Sequence, residues 1–576
     1  MEELFDSVMC PSRQSLPPLT LIVIAYCLGA VGGCSLTRSK TEWRQPDFAV
    51  PDYDGVGKWS LAASEDNYAR AVYLEESNNP ECVQHYFQVA TYTWPVLERE
   101  LATTGKTSPR TTELYRSSLA KLLITAQKFN CWDPCRGLVT PNSGCATLLP
   151  ACYQGFVWSP TDFQHLLPSG DYESPNLTRR FRDNGLGVPI VVVRNTAAPQ
   201  PFTRNEQAFA ATVVLRPDTT KSGYQLVFYD PLRASNIVVA GCQVPLVRDL
   251  TAPFALKSQN EDRQWLENFL QPGATGSGDG LTMVEPYQPG KIPVVFIHGL
   301  LSDPATWADL ANELRAHPNL NDRYQLWAFE YDTGEPFLTS AAVLRRQLVQ
   351  MRCTYDPERI DPAMSQMVLV GHSMGGLVAK LQVTQSGDQL WQAVARQPLG
   401  SVSTDHATRK QLQEAFYFQP SMDIARVLFI GTPHRGSSWA HRPVGLLGSA
   451  LVEPSSDTQS SHSQLVGDNP HLFGDELGDR FPTSIDLLKP ESPLLSATAS
   501  LPFSPRVTLH SIVGQGQTSW KGEPTDGVVS VSSAQLLGVA SELTVDSKHE
   551  KLHRDPTAVG EVVRILQEHL QQSSIY

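Results

Sequence analysis

The spacing of apolar residues changes from segment to segment along this chain. Leu19 to Val31 is an apolar run broken only by Thr20, and Gly32, Gly33 and Cys34 follow it. A membrane span needs about 20 residues and a signal-peptide core about 7–15, so the run predicts an export signal. Between Ser64 and Asn130 apolar residues recur at helical spacing: Tyr68, Ala71, Val72 and Leu74, then Tyr86, Phe87, Val89, Ala90 and Tyr92, then Thr111 to Phe129. Two or three packed helices are expected within residues 34–150. No tetratricopeptide period accompanies them, so a plain bundle is the expectation. From about Gly155 to Leu256 the pattern becomes short β-branched runs, Pro189–Arg194, Ala210–Leu215, Tyr224–Tyr229 and Asn236–Ala240. These predict a β-rich accessory domain over residues 151–271. The glycine-rich stretch Pro272–Gly280 reads as a linker, bounded at 272–290.

In residues 291–576 apolar strands alternate with helical patterns. Ile292–Ile297, Tyr324–Tyr331, Met367–Val370, Arg426–Ile430, Val507–Gly514 and Ser541–Asp546 read as strands, Leu338–Met351 and Ala558–Leu570 as helices. Strands and helices in alternation build a mostly parallel sheet flanked by helices, with its active site at the carboxyl ends of the strands. The fold class is therefore α/β, preceded by a helical region and a β-rich domain. The long segments Gly387–Ser421 and Ser437–Ser504 interrupt this core, where lids and substrate walls commonly lie.

Composition narrows the partners. The chain has 576 residues, too many for one core, and implies roughly three or four domains. Hydrophobic residues make up 41% and charged residues 18%, which describes a globular protein. The net charge of −13, with no basic stripe, argues against nucleic acid as a partner.

The leader starts with Glu2, Glu3 and Asp6, whereas an export signal wants a basic start. Initiation at Met9, with Arg13 close behind, supplies one. Val31-Gly32-Gly33-Cys34 resembles the lipobox of bacterial lipoproteins, which implies a signal peptide over residues 1–33, cleavage before Cys34 and lipidation of that cysteine. The resemblance implies an exported, membrane-anchored lipoprotein on the outer membrane or periplasmic face, Ser35 matching the outer-membrane pattern. An uncleaved transmembrane anchor is the alternative. Seven cysteines follow: Cys82, Cys131, Cys135, Cys145, Cys152, Cys242 and Cys353. In an exported protein the cluster 131, 135, 145 and 152 is expected to form disulfides. Its spacing lacks C-x2-C pairs or an interleaved histidine, so no metal site is expected.

The chemistry centres on Gly371-His372-Ser373-Met374-Gly375, entered from an apolar strand. That is the form of a nucleophile elbow, a tight strand-to-helix turn that lifts a serine hydroxyl from the sheet. Upstream, a buried strand ends in His298-Gly299-Leu300. Backbone N–H groups of Leu300 and Met374 are placed to hold an oxyanion. His298 itself is expected to pack. Downstream, Asp526 follows one late strand and His549 the next, in the order serine, acid, histidine. A serine is a weak nucleophile until a histidine takes its proton and a carboxylate orients that histidine. His553 is a rival base, and Asp546 a rival acid that ends the strand leading to His549.

His298-Gly-Leu-Leu301, Gly371-His-Ser-Met-Gly-Gly376, Gly431-Thr-Pro-His-Arg-Gly-Ser437, Asp526-Gly-Val-Val529 and His549-x3-His-Arg-Asp-Pro556 together resemble the lipase/esterase branch of the α/β-hydrolases. The match leans toward the bacterial relatives of GPI inositol-deacylase and spans about residues 290–570. It implies an α/β-hydrolase fold and a serine hydrolase that cleaves carboxylic esters through an acyl-enzyme, without cofactor, on an ester or lipid-like substrate. In that fold the catalytic histidine lies about seven residues before the proline opening the last helix, which favours His549 over His553. One departure is Ser530, where such enzymes commonly carry proline. Thioester hydrolysis and acyl transfer use the same triad, and a non-catalytic surface lipoprotein is the reading from another class.

Overall fold

A computed structural model describes residues 56–573 apart from 142–146, 171–176, 196–200, 204–205, 219–222, 257–279, 301, 303, 439–455 and 474–481. The signal-peptide reading over 1–33, the start at Met9, lipidation at Cys34, Cys145 and residues 272–279 of the linker lie outside the described residues. All described residues fall in one compact unit spanning Phe48–Tyr576.

Three helices come first: α1 Val56–Glu76, α2 Cys82–Thr104 and α3 Pro109–Lys128. Local sequence sets their limits. Gly105 closes α2 in the left-handed region (φ 68°), returning its N–H to the Leu101 carbonyl. Ser108 caps α3, its side chain accepting from the Thr111 N–H, with Pro109 in the first turn. A five-stranded sheet follows, made of β1 Ala151–Gln154, β2 His165–Pro168, β3 Val188–Asn195, β4 Glu206–Pro217 and β5 Tyr224–Tyr229. They pair in the order β1-β5-β4-β3-β2, with β1 parallel to β5 and the other pairs antiparallel.

Helices and sheet are not separate layers of folding. Tyr86, Trp94, Tyr115 and Leu119 share one buried core with Val192, Phe209, Val213 and Phe228. The Tyr115 hydroxyl donates to the Leu215 carbonyl at 2.7 Å and accepts from the Leu215 N–H at 2.9 Å. The boundary expected at residues 150/151 thus falls inside this core. β structure also begins earlier, in a small ribbon over Trp132–Asp133, Gly137–Thr140 and Thr147–Leu149. The expected plain bundle and β-rich domain are one α+β unit, because neither the bundle nor the sheet could bury its apolar face alone.

The C-terminal half holds a seven-stranded sheet. Its strands are β6 Gly280–Met283, β7 Ile292–Ile297, β8 Tyr324–Glu330, β9 Met367–His372, β10 Ile424–Ile430, β11 Thr508–Gly514 and β12 Ser541–Val545, in the order β6-β8-β7-β9-β10-β11-β12. Every pair is parallel except β6 with β8. Residues 280–283, expected as linker, are therefore the antiparallel edge strand. The helices include α4 Ala308–Ala316, α5 Phe337–Tyr355, α6 Met374–Lys380, α7 His406–Phe416 and α8 Pro556–Gln572; further helices, Ser456–Asp468 and Pro493–Ser500 among them, lie between. All six residues of β7 are buried, and they alternate between two cores. Ile292, Val294 and Phe296 face α4 and α8; Val295 and Ile297 face α5 and α6. A strand covered on both faces reads as an unbroken apolar run. The chain runs one way from β7 and the other way from β9, and this reversal opens a crevice at their carboxyl ends.

Cys82, Cys131, Cys135, Cys152, Cys242 and Cys353 are free thiols. This corrects the expectation of disulfides at 131, 135 and 152. The Cys131 thiol turns back on its own chain, donating to the Phe129 carbonyl at 3.5 Å. Among the described residues no helix is long and apolar enough to cross a membrane.

Candidate active site

Ser373 sits between β9 and α6 with φ 53° and ψ −126°, a left-handed geometry that costs a side-chain-bearing residue free energy. Its neighbours must be glycine. A Cβ on Gly375 would lie 2.3 Å from both the Ile297 and His298 carbonyl oxygens, and one on Gly371 would lie 2.7 Å from the Gly376 backbone. The turn is held by Ser373 N–H donating to the Ile430 carbonyl on β10 at 2.9 Å. Met374 opens α6, where backbone N–H groups have no intrahelical acceptor. The Gly299 turn meets this point: a Cβ there would stand 2.9 Å from the Ser373 Cβ. Leu300 follows directly, half-buried against the core that contains Met374.

Ser373, His549 and Asp526 come together in one line. His549 Nε2 lies 2.9 Å from Ser373 Oγ, and His549 Nδ1 lies 2.7 Å from Asp526 Oδ2. Because the carboxylate only accepts, the proton between them belongs to Nδ1, leaving Nε2 free to accept from the serine hydroxyl. The other oxygen of Asp526 accepts the N–H groups of Val528 at 2.9 Å and Val529 at 2.7 Å. The Asp-Gly-Val-Val run therefore makes a turn that pins its own carboxylate. Ser530 caps the short helix Val531–Ala534, its side chain accepting from the Ser533 N–H.

The rivals fall elsewhere. Asp546 is exposed. His553 is buried with its Nε2 2.6 Å from Thr306 Oγ1, and desolvation, with Arg554 and His549 nearby, pushes its pKa down to about 3. His298 stacks on Tyr331 with ring centroids 4.4 Å apart, and its carbonyl accepts from the Tyr331 hydroxyl at 2.7 Å. It is a packing residue, as expected.

Three buried groups carry no role in the sequence reading. His372 donates from Nε2 to the His549 carbonyl at 3.1 Å. His434 is fully buried edge-on to Phe429, and desolvation first, then Lys380 and Arg435, holds it neutral. Lys380, at the end of α6, donates to the Ala499 carbonyl at 3.2 Å, and burial pushes its ammonium down to about 8. The elbow pattern covers only its first and last glycines and the serine, so nothing local singles these residues out. Among the described residues no group of three His, Cys, Asp or Glu side chains gathers as a metal set.

An apolar cavity of about 330 Å³ opens beside α5 and α7, walled by Pro336, Leu338, Leu412, Ala415, Leu487 and Leu494. The triad does not line it, but one wall is tied to the triad. The Leu488 carbonyl accepts from Ser437 N–H at 2.9 Å, and the Ser437 hydroxyl donates to the Val528 carbonyl beside Asp526.

Residues 288–397 match the family described as PGAP1-like alpha/beta domain. No curated protein matches the chain in sequence. Solved structures similar to it include the mature lipase BlEst2 of Bacillus licheniformis, 16% identical over 50% of this chain and 99% of that one, with a TM-score of 0.29. Esterase B from Lactobacillus rhamnosis, inhibited by a tributyrin phosphonate, is 15% identical over 55% and 96%, with a TM-score of 0.28. Phospholipase PlaB from Legionella pneumophila is 13% identical over 42% and 46%, with a TM-score of 0.26. The C-terminal half has an α/β fold on a mostly parallel sheet, and residues 288–397 within it match the PGAP1-like alpha/beta domain.

Proposed function

We propose that the protein is a serine hydrolase that cleaves carboxylic esters. The observation that carries this reading is the hydrogen-bonded line Ser373–His549–Asp526, at 2.9 and 2.7 Å, on a left-handed strand-to-helix turn. Ser373 Oγ attacks the ester carbonyl while His549 Nε2 takes its proton. The Asp526 carboxylate keeps the imidazole tautomer and stabilises the imidazolium. Amide N–H groups of Leu300 and Met374 donate hydrogen bonds to the negatively charged oxygen of the tetrahedral intermediate. His549 then protonates the leaving alcohol, and water, deprotonated by the same histidine, releases the acid from the acyl-enzyme.

The apolar cavity supports a fatty acyl group as the acid part of the ester. The membrane tether at Cys34 belongs to the same reading, supported by the apolar run Leu19–Val31 before Gly32-Gly33-Cys34. Cys34→Ser is expected to release the protein from the membrane fraction, and retention there removes the tether from the proposal.

Ser373→Ala tests the chemistry. It is expected to lower kcat on a short-chain ester on the order of 10⁶-fold, and to abolish covalent labelling by a fluorophosphonate, with the folded state intact. Turnover retained in a pure sample refutes the assignment.

A further inference from the structure

Three imidazoles pack together, tilted against one another, behind the serine. His372 lies between the other two, with ring centroids 4.9 Å from His549 and 4.5 Å from His553. His372 is 5% exposed and His553 4%. Two contacts fix their protonation. The His549 carbonyl can only accept, so His372 carries its proton on Nε2 and leaves Nδ1, which has no partner among the described residues, as a bare lone pair. His553 Nδ1 also lacks a partner among the described residues; a proton on Nε2, donated to Thr306 Oγ1 at 2.6 Å, leaves no donor there orphaned.

The consequence is geometric. The His549 main chain is gripped at both ends, its N–H donating to the Asp526 carbonyl at 3.0 Å and its C=O accepting from His372. The imidazole of His549 is thereby aimed by its own backbone as well as by the Asp526 side chain. His372 precedes Ser373 directly, so the grip ties base to nucleophile. A Cβ on Gly299 would stand 3.2 Å from His372 Nδ1, and Thr306 belongs to the turn Pro304–Trp307 that follows the Leu300 loop. The cluster therefore joins the oxyanion loop, the serine and the histidine loop.

We propose that His372 is a positioning residue for His549: its Nε2–H anchors the His549 carbonyl, with the His372 ring wedged against His553, and so holds the base in line with Ser373 and Asp526. The proposal rests on His549 being the base of the reaction above. The titratable and charged groups facing the cluster are His298, His549 and His553 around His372, Arg554 beside His553, and Asp526 beyond His549. Burial keeps both His372 and His553 neutral, so neither repels the imidazolium that forms on His549.

The test compares His372→Leu, which removes the donor, with His372→Gln, whose amide N–H reaches about as far as Nε2. In the Leu variant kcat is expected to fall about 10- to 100-fold, the scale of a misplacement of about 1 Å, with KM changed less than about twofold. The Gln variant is expected to recover most of the lost kcat. Unchanged kcat in the Leu variant, or equal losses in Leu and Gln variants of equal thermal stability, overturn the proposal. Should the Leu variant fail to fold, His372→Asn, a donor too short to reach the carbonyl, takes its place. Wild-type protein that neither hydrolyses esters nor labels with fluorophosphonate sinks the underlying assignment; active wild type with unaffected His372 variants sinks the positioning role alone.

Discussion

At the scale of single residues, the candidate site is a set of tight steric and hydrogen-bonding requirements. Gly375 has backbone carbonyls 2.3 Å from where a Cβ would be, with no flexible side chain to give way. Gly375→Ala is expected to destabilise the fold by about 1–3 kcal/mol, the range for overpacking, and to cut ester turnover in whatever fraction stays folded. A denaturation midpoint equal to wild type refutes this. The serine and these glycines were legible from the pentapeptide, because a turn this tight limits residue types directly. The choice between His549 and His553 was legible only through a resemblance. The two lie four residues apart at opposite ends of the short helix His549–Leu552, and burial against Trp307 and Thr306 separates them. His372 was visible as a letter of the motif, but its partner is 177 residues away.

At the scale of elements, the parallel strands were the most legible part. A strand buried on both faces leaves a run such as Ile292–Ile297 that no turn or surface helix imitates. Strand β6 was read as linker because it is four residues long, follows a glycine-rich stretch and is defined by its pairing with β8. Helix α7 was missed for a related reason: none of its residues is buried, so it has no apolar stripe to announce it, and only the Asp405 cap, accepting from Ala407 and Thr408 N–H groups, marks its start. Helix α7 still forms a wall of the apolar cavity through Leu412 and Ala415. If the cavity takes the acyl chain, kcat/KM on a series of esters should rise about fourfold per methylene, the worth of one buried CH₂, until the cavity is filled. Ala415→Trp should then shift the optimum to shorter chains while leaving acetyl ester turnover near wild type. An unchanged chain-length profile removes the cavity from the reaction.

At the scale of the whole molecule, the N-terminal α+β unit is bonded into the C-terminal half rather than strung beside it. Asp309 on α4 accepts the Thr178 N–H at 2.7 Å, and buried Asn312 donates to the Arg179 carbonyl at 2.8 Å while accepting from the Thr251 hydroxyl at 3.0 Å. Hydrophobic spacing says nothing about such polar seams, so the linker at 272–290 looked like a parting line. Burial of many imidazoles has a further consequence for stability. Desolvation lowers His510 to about 4, His553 to about 3 and His569 to about 4, with His372 and His434 well below 6.5. The unfolded chain takes up these protons near the ordinary histidine value of 6.5 and the folded chain does not, so stability is full above that value and falls with pH below it. Each group weakens folding by up to about 1.4 kcal/mol per pH unit. Denaturant unfolding followed from pH 7 to about pH 5 should show net uptake of more than one proton on unfolding. A flat profile contradicts the buried neutral imidazoles.

By itself, the sequence determined the elbow at Ser373, the order of serine, acid and histidine, and the alternation that builds a mostly parallel sheet. All of these follow from short-range rules, turn sterics and apolar periodicity, that act within a few residues. Only the tertiary structure decided the rest. It merged the helices and β strands before residue 256 into one core, left the described cysteines unpaired, and set His549 rather than His553 against Ser373. Those outcomes depend on which strands neighbour each other and on what each side chain meets across 100 residues or more of chain, and no local spacing encodes that.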